Sequence, residues 1–205
     1  MTTADTPLRA VVLGCSLKSS TEDSSSDLIG HQVLDALAKH GVTGEVVRVV
    51  DQGVKFGITT DEGDGDGWPA IRDKIMAAQI LVLATPIWMG QPASVAQMVL
   101  ERLDAELNEK DDEGRLLTYG KVAAVAVVGN EDGAHHVCAN LFQALNDVGF
   151  TVPAAASTYW VGEAMQTTDY KDVDAKPETD SATATLAANA AHLARLLAGA
   201  TYPPS

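Results

Sequence analysis

Three short segments of this chain carry residues whose types and spacing suit ligand chemistry. The first, Ser16 to Ser26, is crowded with hydroxyls and leads into an apolar helical stripe that begins at Ile29. Serine hydroxyls and the free N–H groups of a helix N-terminus bind phosphate, the helix dipole adds attraction, and Lys18 offers a point charge. The same serines would also serve as helix caps, and both readings stand. The second segment is Ala84-Thr85-Pro86-Ile87-Trp88-Met89-Gly90-Gln91-Pro92. Its prolines restrict the backbone, Gly90 permits close approach or a positive φ, and Ile87, Trp88 and Met89 supply surface for a flat aromatic ligand. The alternative is that Trp88 packs against a helix or a neighbouring subunit. The third, Gly129-Asn130-Glu131-Asp132-Gly133, offers backbone N–H groups and side-chain acceptors for the polar edge of a heterocycle. His135 and His136 follow it, but adjacent helical residues diverge by about 100° and do not readily chelate one metal, so both read as helix-start residues.

The elements that must position these segments alternate between buried strands and amphipathic helices. Strands are expected at Ala10 to Gly14, Glu45 to Val50, Ile80 to Ala84, Val122 to Val128 and, more weakly, Thr151 to Thr158. Helical stripes run through Ile29, Val33 and Leu37, through Val95, Val99 and Leu103, through Val137, Leu141, Leu145 and Val148, and through Leu186, Ala190, Leu193 and Leu197. A shorter helix over Trp68 to Ala78 is entered through Pro69. This order predicts a doubly wound α/β fold, a three-layer sandwich around a five-stranded parallel sheet of order 2-1-3-4-5. Its ligand crevice lies beyond the carboxyl ends of the first, third and fourth strands, where the three segments fall.

Composition narrows the chemistry. The chain has 205 residues, 46% of them hydrophobic, and a formal net charge of −14. It is expected to form one domain over residues 1–205, with a core spanning about 8–200. The acidic balance disfavours nucleic acid and anionic lipid as partners. Cys15 and Cys138 lack cysteine neighbours at ligand spacing, which excludes a Cys₄ metal or iron–sulfur site, and two buried thiols are preferred to a disulfide. Neither a signal-like N-terminus nor a membrane-length apolar run is evident, so a soluble cytoplasmic protein is expected. Gln52 to Gly67, Asn108 to Tyr119 and Gly162 to Thr183 read as surface loops, the last as a lid, an oligomer contact or a mobile connection.

Several common motifs are missing. Gly14-Cys15-Ser16-Leu17-Lys18-Ser19-Ser20 fits neither G-x-G-x-x-G nor G-x-x-x-x-G-K-[ST], and H-E-x-x-H and G-x-S-x-G do not occur. Glu62, Asp64, Asp66, Gly67 and Asp73 approach calcium-loop spacing, but both terminal ligands deviate and Pro69 interrupts the loop. A solvated acidic turn is the preferred reading.

The segment Ala84 to Gly90, followed by Ser94 to Asp104, resembles the strand, T-P-[IV]-[YW]-x-G turn and helix of the flavodoxin-like superfamily. Within it, the chain is most similar to the branch of NADPH-dependent FMN reductases and flavodoxin-family NAD(P)H oxidoreductases. Glu101-Arg102 resembles that helix's terminal D-R pair, and Tyr119-Gly120-Lys121 its lead-in to the fourth strand. The resemblance covers about residues 8 to 160 and implies that Ser16, Lys18, Ser24 and Ser26 hold the FMN phosphate. Pro86, Ile87, Trp88, Met89 and Gly90 would lie along the isoalloxazine, and Asn130, Glu131, Asp132 and Gly133 would approach its pyrimidine side. Lys18 stands where an arginine is common, and serines replace an Asn-Thr pair.

The implied activity is hydride transfer from NAD(P)H through FMN to a quinone, flavin or similar acceptor. The cofactor carries the chemistry, so neither a side-chain nucleophile nor a metal is required. Backbone N–H groups of the third segment would stabilise the reduced ring. The competing expectations are a flavodoxin-like electron carrier, which the net charge favours through steering toward a basic partner, and a fold member without flavin. Related reductases imply a homodimer, with Tyr159, Trp160 and the following loop as candidates for that contact or for the substrate face.

Overall fold

The computed structural model describes residues 7–163, 166–174, 177–200 and 202–204. Its interior strands are continuous apolar runs: β1 (Leu8–Gly14), β3 (Ile80–Trp88) and β5 (Val122–Gly129). Such runs arise where both faces of a parallel sheet are covered. The edges are β2 (Val42–Arg48) and β6 (Ser157–Val161), giving a parallel order β2-β1-β3-β5-β6. A two-residue β4 (Gln91–Pro92) pairs antiparallel with β3 and lies off this path. With β4 set aside, the order is the expected 2-1-3-4-5.

Strand side chains alternate between two apolar layers. Val11, Leu13, Leu81, Leu83, Val125 and Val127 meet α2 (Trp68–Ala77), α3 (Ser94–Leu103) and α4 (Ala134–Asp147). Val12, Val82, Ala124 and Ala126 meet α1 (Ser25–Ala38) and α5 (Pro177–Gly199). Truncating a fully buried Leu or Ile here would cost about 2–5 kcal/mol. The α5 contact is made largely by Ala187, Ala190, Ala191 and Ala194, whose small side chains permit close approach to the sheet. Gly14 pairs with Ala84, and Thr85 with Val127. The carboxyl ends of β1, β3 and β5 therefore stand side by side, where the crevice was expected.

Several boundaries differ from the sequence reading. The second strand begins at Val42 and ends at Arg48, because Val49 to Gln52 turns into a short 3-10 helix. The last strand is Ser157–Val161; of the Thr151 to Thr158 stretch, Thr151 makes only an isolated bridge to Val122, and Pro153 follows it. β3 continues through Pro86 to Trp88 because the chain folds back on itself as a hairpin. The Gly162 to Thr183 segment is shorter than expected, since α5 begins at Pro177. Neither cysteine forms a disulfide. Burial pushes the Cys15 thiol up to about 12, helped by the charge of Asp27, and burial pushes Cys138 up to about 11. Both are poor nucleophiles at neutral pH.

Candidate functional site

The first loop is anchored from below by an arginine that the sequence reading missed. Arg48, at the end of β2, donates through Nη1 to the carbonyls of Lys18, Ser19 and Glu22 at 2.8, 2.6 and 3.3 Å. Its Nε donates to Asp27 Oδ2 at 2.6 Å. The Ser20 N–H donates to Asp51 Oδ2 at 3.0 Å, and the Cys15 N–H to Ala84 O at 2.8 Å. Loop, strand ends and first helix are thereby one unit.

This fastening leaves the start of α1 open. Ser24 is the N-cap but makes no side-chain cap bond; its Oγ lies 2.9 Å from Ser26 Oγ instead. The first-turn N–H groups of a helix have no intrahelical acceptor, so an uncapped first turn presents donors outward. Ser16 and Ser26 are buried beside it. Lys18 is half exposed, with Nζ 3.9 Å from Glu22 Oε2, and it is the one Lys or Arg between residues 15 and 27. Asp27 Oδ1 is buried with no hydrogen-bond partner among the described residues. The loop's anion-binding capacity thus comes chiefly from amides and hydroxyls. These donors fit a phosphate.

The second loop is a hairpin. Ile87 pairs with Pro92 and Trp88 with Gln91, leaving Met89 and Gly90 as a two-residue turn at φ 52° and 74°. Thr85 fixes its base: the buried hydroxyl accepts from the Ala93 N–H at 3.1 Å, just where α3 begins. Pro86 is half-buried and Ile87 buried, whereas Trp88 is 54% and Met89 90% exposed. Trp88 therefore is not core, and the apolar surface expected at the crevice is present.

The third loop closes on the second. The Met89 N–H donates to Glu131 Oε1 at 2.9 Å. A Cβ on Gly133, whose φ is 124°, would come within 2.7 Å of Gly90 Cα, so the two backbones touch only because Gly133 has no side chain. The Gly133 N–H is taken by Asp132 Oδ1 at 2.7 Å, and Asn130 is half-buried. His135 Nε2 lies 3.0 Å from Tyr159 OH, and His136 Nε2 3.1 Å from Gln91 Oε1. Both are exposed helix-start residues, and no metal-competent cluster of His, Cys, Asp or Glu exists among the described residues. The structure thus brings the second and third predicted segments into contact, and the first stands beside them on the neighbouring strand end.

Gln52 to Gly67 is the expected surface loop, but the acidic turn beginning at Glu62 is fastened from beneath rather than merely solvated. Arg102, fully buried on α3, donates to Lys55 O at 2.8 Å, to Thr59 O at 2.9 and 3.1 Å, and to Asp66 Oδ2 at 2.7 Å. Its guanidinium also lies 5.6 Å from the Trp68 ring centroid. Asp66 further accepts the N–H groups of Lys55, Glu62 and Trp68. Burial opposes ionisation of Asp66, but these donors outweigh it and hold the carboxyl well below its usual range. The Lys55 ammonium donates to Asp64 O at 2.6 Å, inside the turn that resembled a calcium loop. The sequence held a sign of this: Arg102 occupies the apolar stripe of Val95, Val99 and Leu103, where a charge needs a partner.

The long connection before α5 is also docked. Tyr170 is buried against Trp160 at a centroid distance of 5.5 Å, and its hydroxyl donates to Gln32 Oε1 at 2.6 Å. A groove of about 780 Å³ between α3 and α4 opens at Gln91 and Pro92 and is acidic, with Glu101, Asp104 and Asp147 on its walls. No helix among the described residues is long and apolar enough to cross a membrane.

Comparison with known proteins agrees with this geometry. The model of a family described as NADPH-dependent FMN reductase matches residues 8–166. A Streptomyces davaonensis protein named 8-demethyl-8-aminoriboflavin-5'-phosphate synthase is 33% identical over 206 residues, covering 95% of this chain and 80% of that protein. A Mycobacterium bovis protein named divalent metal cation transporter MntH is 33% identical over 198 residues, 93% of this chain. The chain spans only 29% of that relative's length. Among solved structures, RosB with bound 8-demethyl-8-formylriboflavin-5'-phosphate has a TM-score of 0.86 at 33% identity, covering 95% of this chain and 82% of its own. An archaeal flavodoxin, at 11% identity and a TM-score of 0.58, covers 92% of this chain and 99% of its own and shares the fold. On the family match and these relatives, the chain belongs to the NADPH-dependent FMN reductase family and is a flavin-related enzyme of the oxidoreductase type.

Proposed function

We propose that the crevice binds FMN, that NAD(P)H supplies the hydride, and that a quinone, free flavin or similar molecule accepts it. The observation that carries this reading is the convergence of an uncapped, hydroxyl-lined helix start with two interlocked loops at adjoining strand ends. Ser16, Lys18, Ser24 and Ser26, with the first-turn amides of α1, would hold the phosphate. Pro86, Ile87, Trp88, Met89 and Gly90 would line the ring, and Asn130, Glu131, Asp132 and Gly133 would border its polar edge. FMN, when bound, supplies the hydride chemistry, while the chain orients it and excludes water from one side. Donors at a helix N-terminus bind an anion without a lysine or arginine for each charge, so phosphate capture here does not require a basic cluster.

The test is a visible spectrum of the purified protein after FMN addition and desalting, then NADPH oxidation with a quinone acceptor. Retained, perturbed flavin absorbance with turnover above free FMN is expected. A colourless protein after saturation would overturn the reading; bound FMN without NAD(P)H oxidation would leave an electron carrier. The name of the Streptomyces relative favours a second reading, in which a riboflavin 5'-phosphate is itself the substrate. Mass spectrometry of the recovered flavin separates the two, since a cofactor leaves with its mass unchanged. A single domain, a cytoplasmic location and a homodimer complete the proposal; sizing by light scattering checks the last.

A further inference from the structure

The tip of the β3–β4 hairpin holds a non-glycine residue in a left-handed conformation. Met89 and Ala155 are the non-glycine residues with positive φ among those described. A two-residue turn with both central residues left-handed matches the twist of its flanking strands, but its first position usually carries Asn, Asp or Gly. A methionine pays a steric cost there that surrounding contacts must offset. Its own side chain, 90% exposed, contributes little packing. What holds the turn is the third loop: Glu131 Oε1 accepts the Met89 N–H at 2.9 Å, and the Gly133 backbone abuts Gly90.

We propose that Glu131 is a positioning residue for the flavin site, and that its carboxylate acts by clasping the Met89 amide rather than by touching the ring. The clasp keeps Trp88 to Gln91 in the one conformation that offers the Trp88 and Met89 surface to the isoalloxazine. This role rests on the FMN reading and refines the expectation that Glu131 borders the pyrimidine. Glutamine at 131 retains an acceptor oxygen of the same reach, whereas alanine retains none. Glycine at 89 adopts the left-handed conformation without cost, so the turn would no longer depend on the clasp.

The experiment measures FMN dissociation constants by flavin fluorescence quenching for the wild type, Glu131→Gln, Glu131→Ala, Met89→Gly and the double variant Glu131→Ala with Met89→Gly. Thermal melts establish that each is folded. Glu131→Ala is expected to weaken FMN binding about tenfold, the scale of one hydrogen bond to a charged acceptor. Glu131→Gln should stay within about threefold of the wild type, and Glu131→Ala should cost less than about threefold when introduced into Met89→Gly, whose own lost ring contact sets the baseline. A Glu131→Ala protein that binds FMN like the wild type would overturn the clasp, as would a Glu131→Ala loss equally large in the Met89→Gly background. Failure of the wild type itself to bind FMN would instead strike the cofactor reading, so the two failures are distinguishable.

Discussion

The loop after β1 and the loop after β2 are built with the same device and end in opposite states. In each, a buried arginine gathers backbone carbonyls and pairs with one aspartate: Arg48 with Asp27 in the first, Arg102 with Asp66 in the second. The second loop is closed upon itself. Asp66 accepts three backbone N–H groups besides Arg102, and Glu62 accepts from Ile58 and Thr59. The first loop is left with polar groups to spare: donors at its uncapped helix start and one acceptor, Asp27 Oδ1, without a partner among the described residues. An arginine tether therefore marks a loop that must keep its shape. On the proposed function, what distinguishes the ligand loop from the structural one is the polar capacity left over once the tether is made.

The contrast is sharpest under substitution of the two arginines. Arg102→Met strands a fully buried Asp66, and a loss of about 3–5 kcal/mol is expected in urea unfolding, with FMN affinity of the remaining folded protein little changed. Arg48→Met should cost less stability, since the Arg48–Asp27 pair is not fully buried, but should lower FMN affinity about tenfold by releasing the preorganised phosphate loop. If the two variants affect FMN binding equally, the division between structural and ligand loop fails.

Acid titration tests the closed loop. Asp66 stays ionised in the folded protein at pH values where the unfolded chain, near its ordinary 3.8, takes up a proton. Its contribution is complete above about pH 5 and drains away as pH falls through and below 3.8. Asp66→Asn should thus flatten the acid limb of the stability curve. An unchanged slope would mean that other carboxylates govern it. The smallest effect is expected at Ser24→Ala: with no cap bond to lose, stability should shift by less than about 0.5 kcal/mol, while FMN binding weakens severalfold. A larger stability loss without a binding effect would make Ser24 a helix cap after all.

The legible part of the molecule was the part written in short-range pattern. β1, β3 and β5 announce themselves as apolar runs, and their order with the helical stripes yields the sheet order and the crevice. The hairpin was missed because Pro86 and Pro92 read as loop residues, although one ends up paired to β5 and the other to Ile87. β6 was displaced because Thr151 to Thr158 and Ser157 to Val161 are similarly weak signals, and the choice rests on pairing with β5. Arg48 and Arg102 were invisible for a different reason. Their partners lie 21 to 47 residues away, and nothing local tells a tethering arginine from a solvated one, save the apolar stripe around Arg102. Glu131 was named, but its partner across the loops was not.

Tyr170 lies beyond the residues matched by the family model and yet fastens α1 to β6 through Gln32 and Trp160. A protease that severed the backbone just ahead of it would release no fragment: α5 would stay seated on the sheet through its alanine face, and the two pieces would travel together until denaturant parted them.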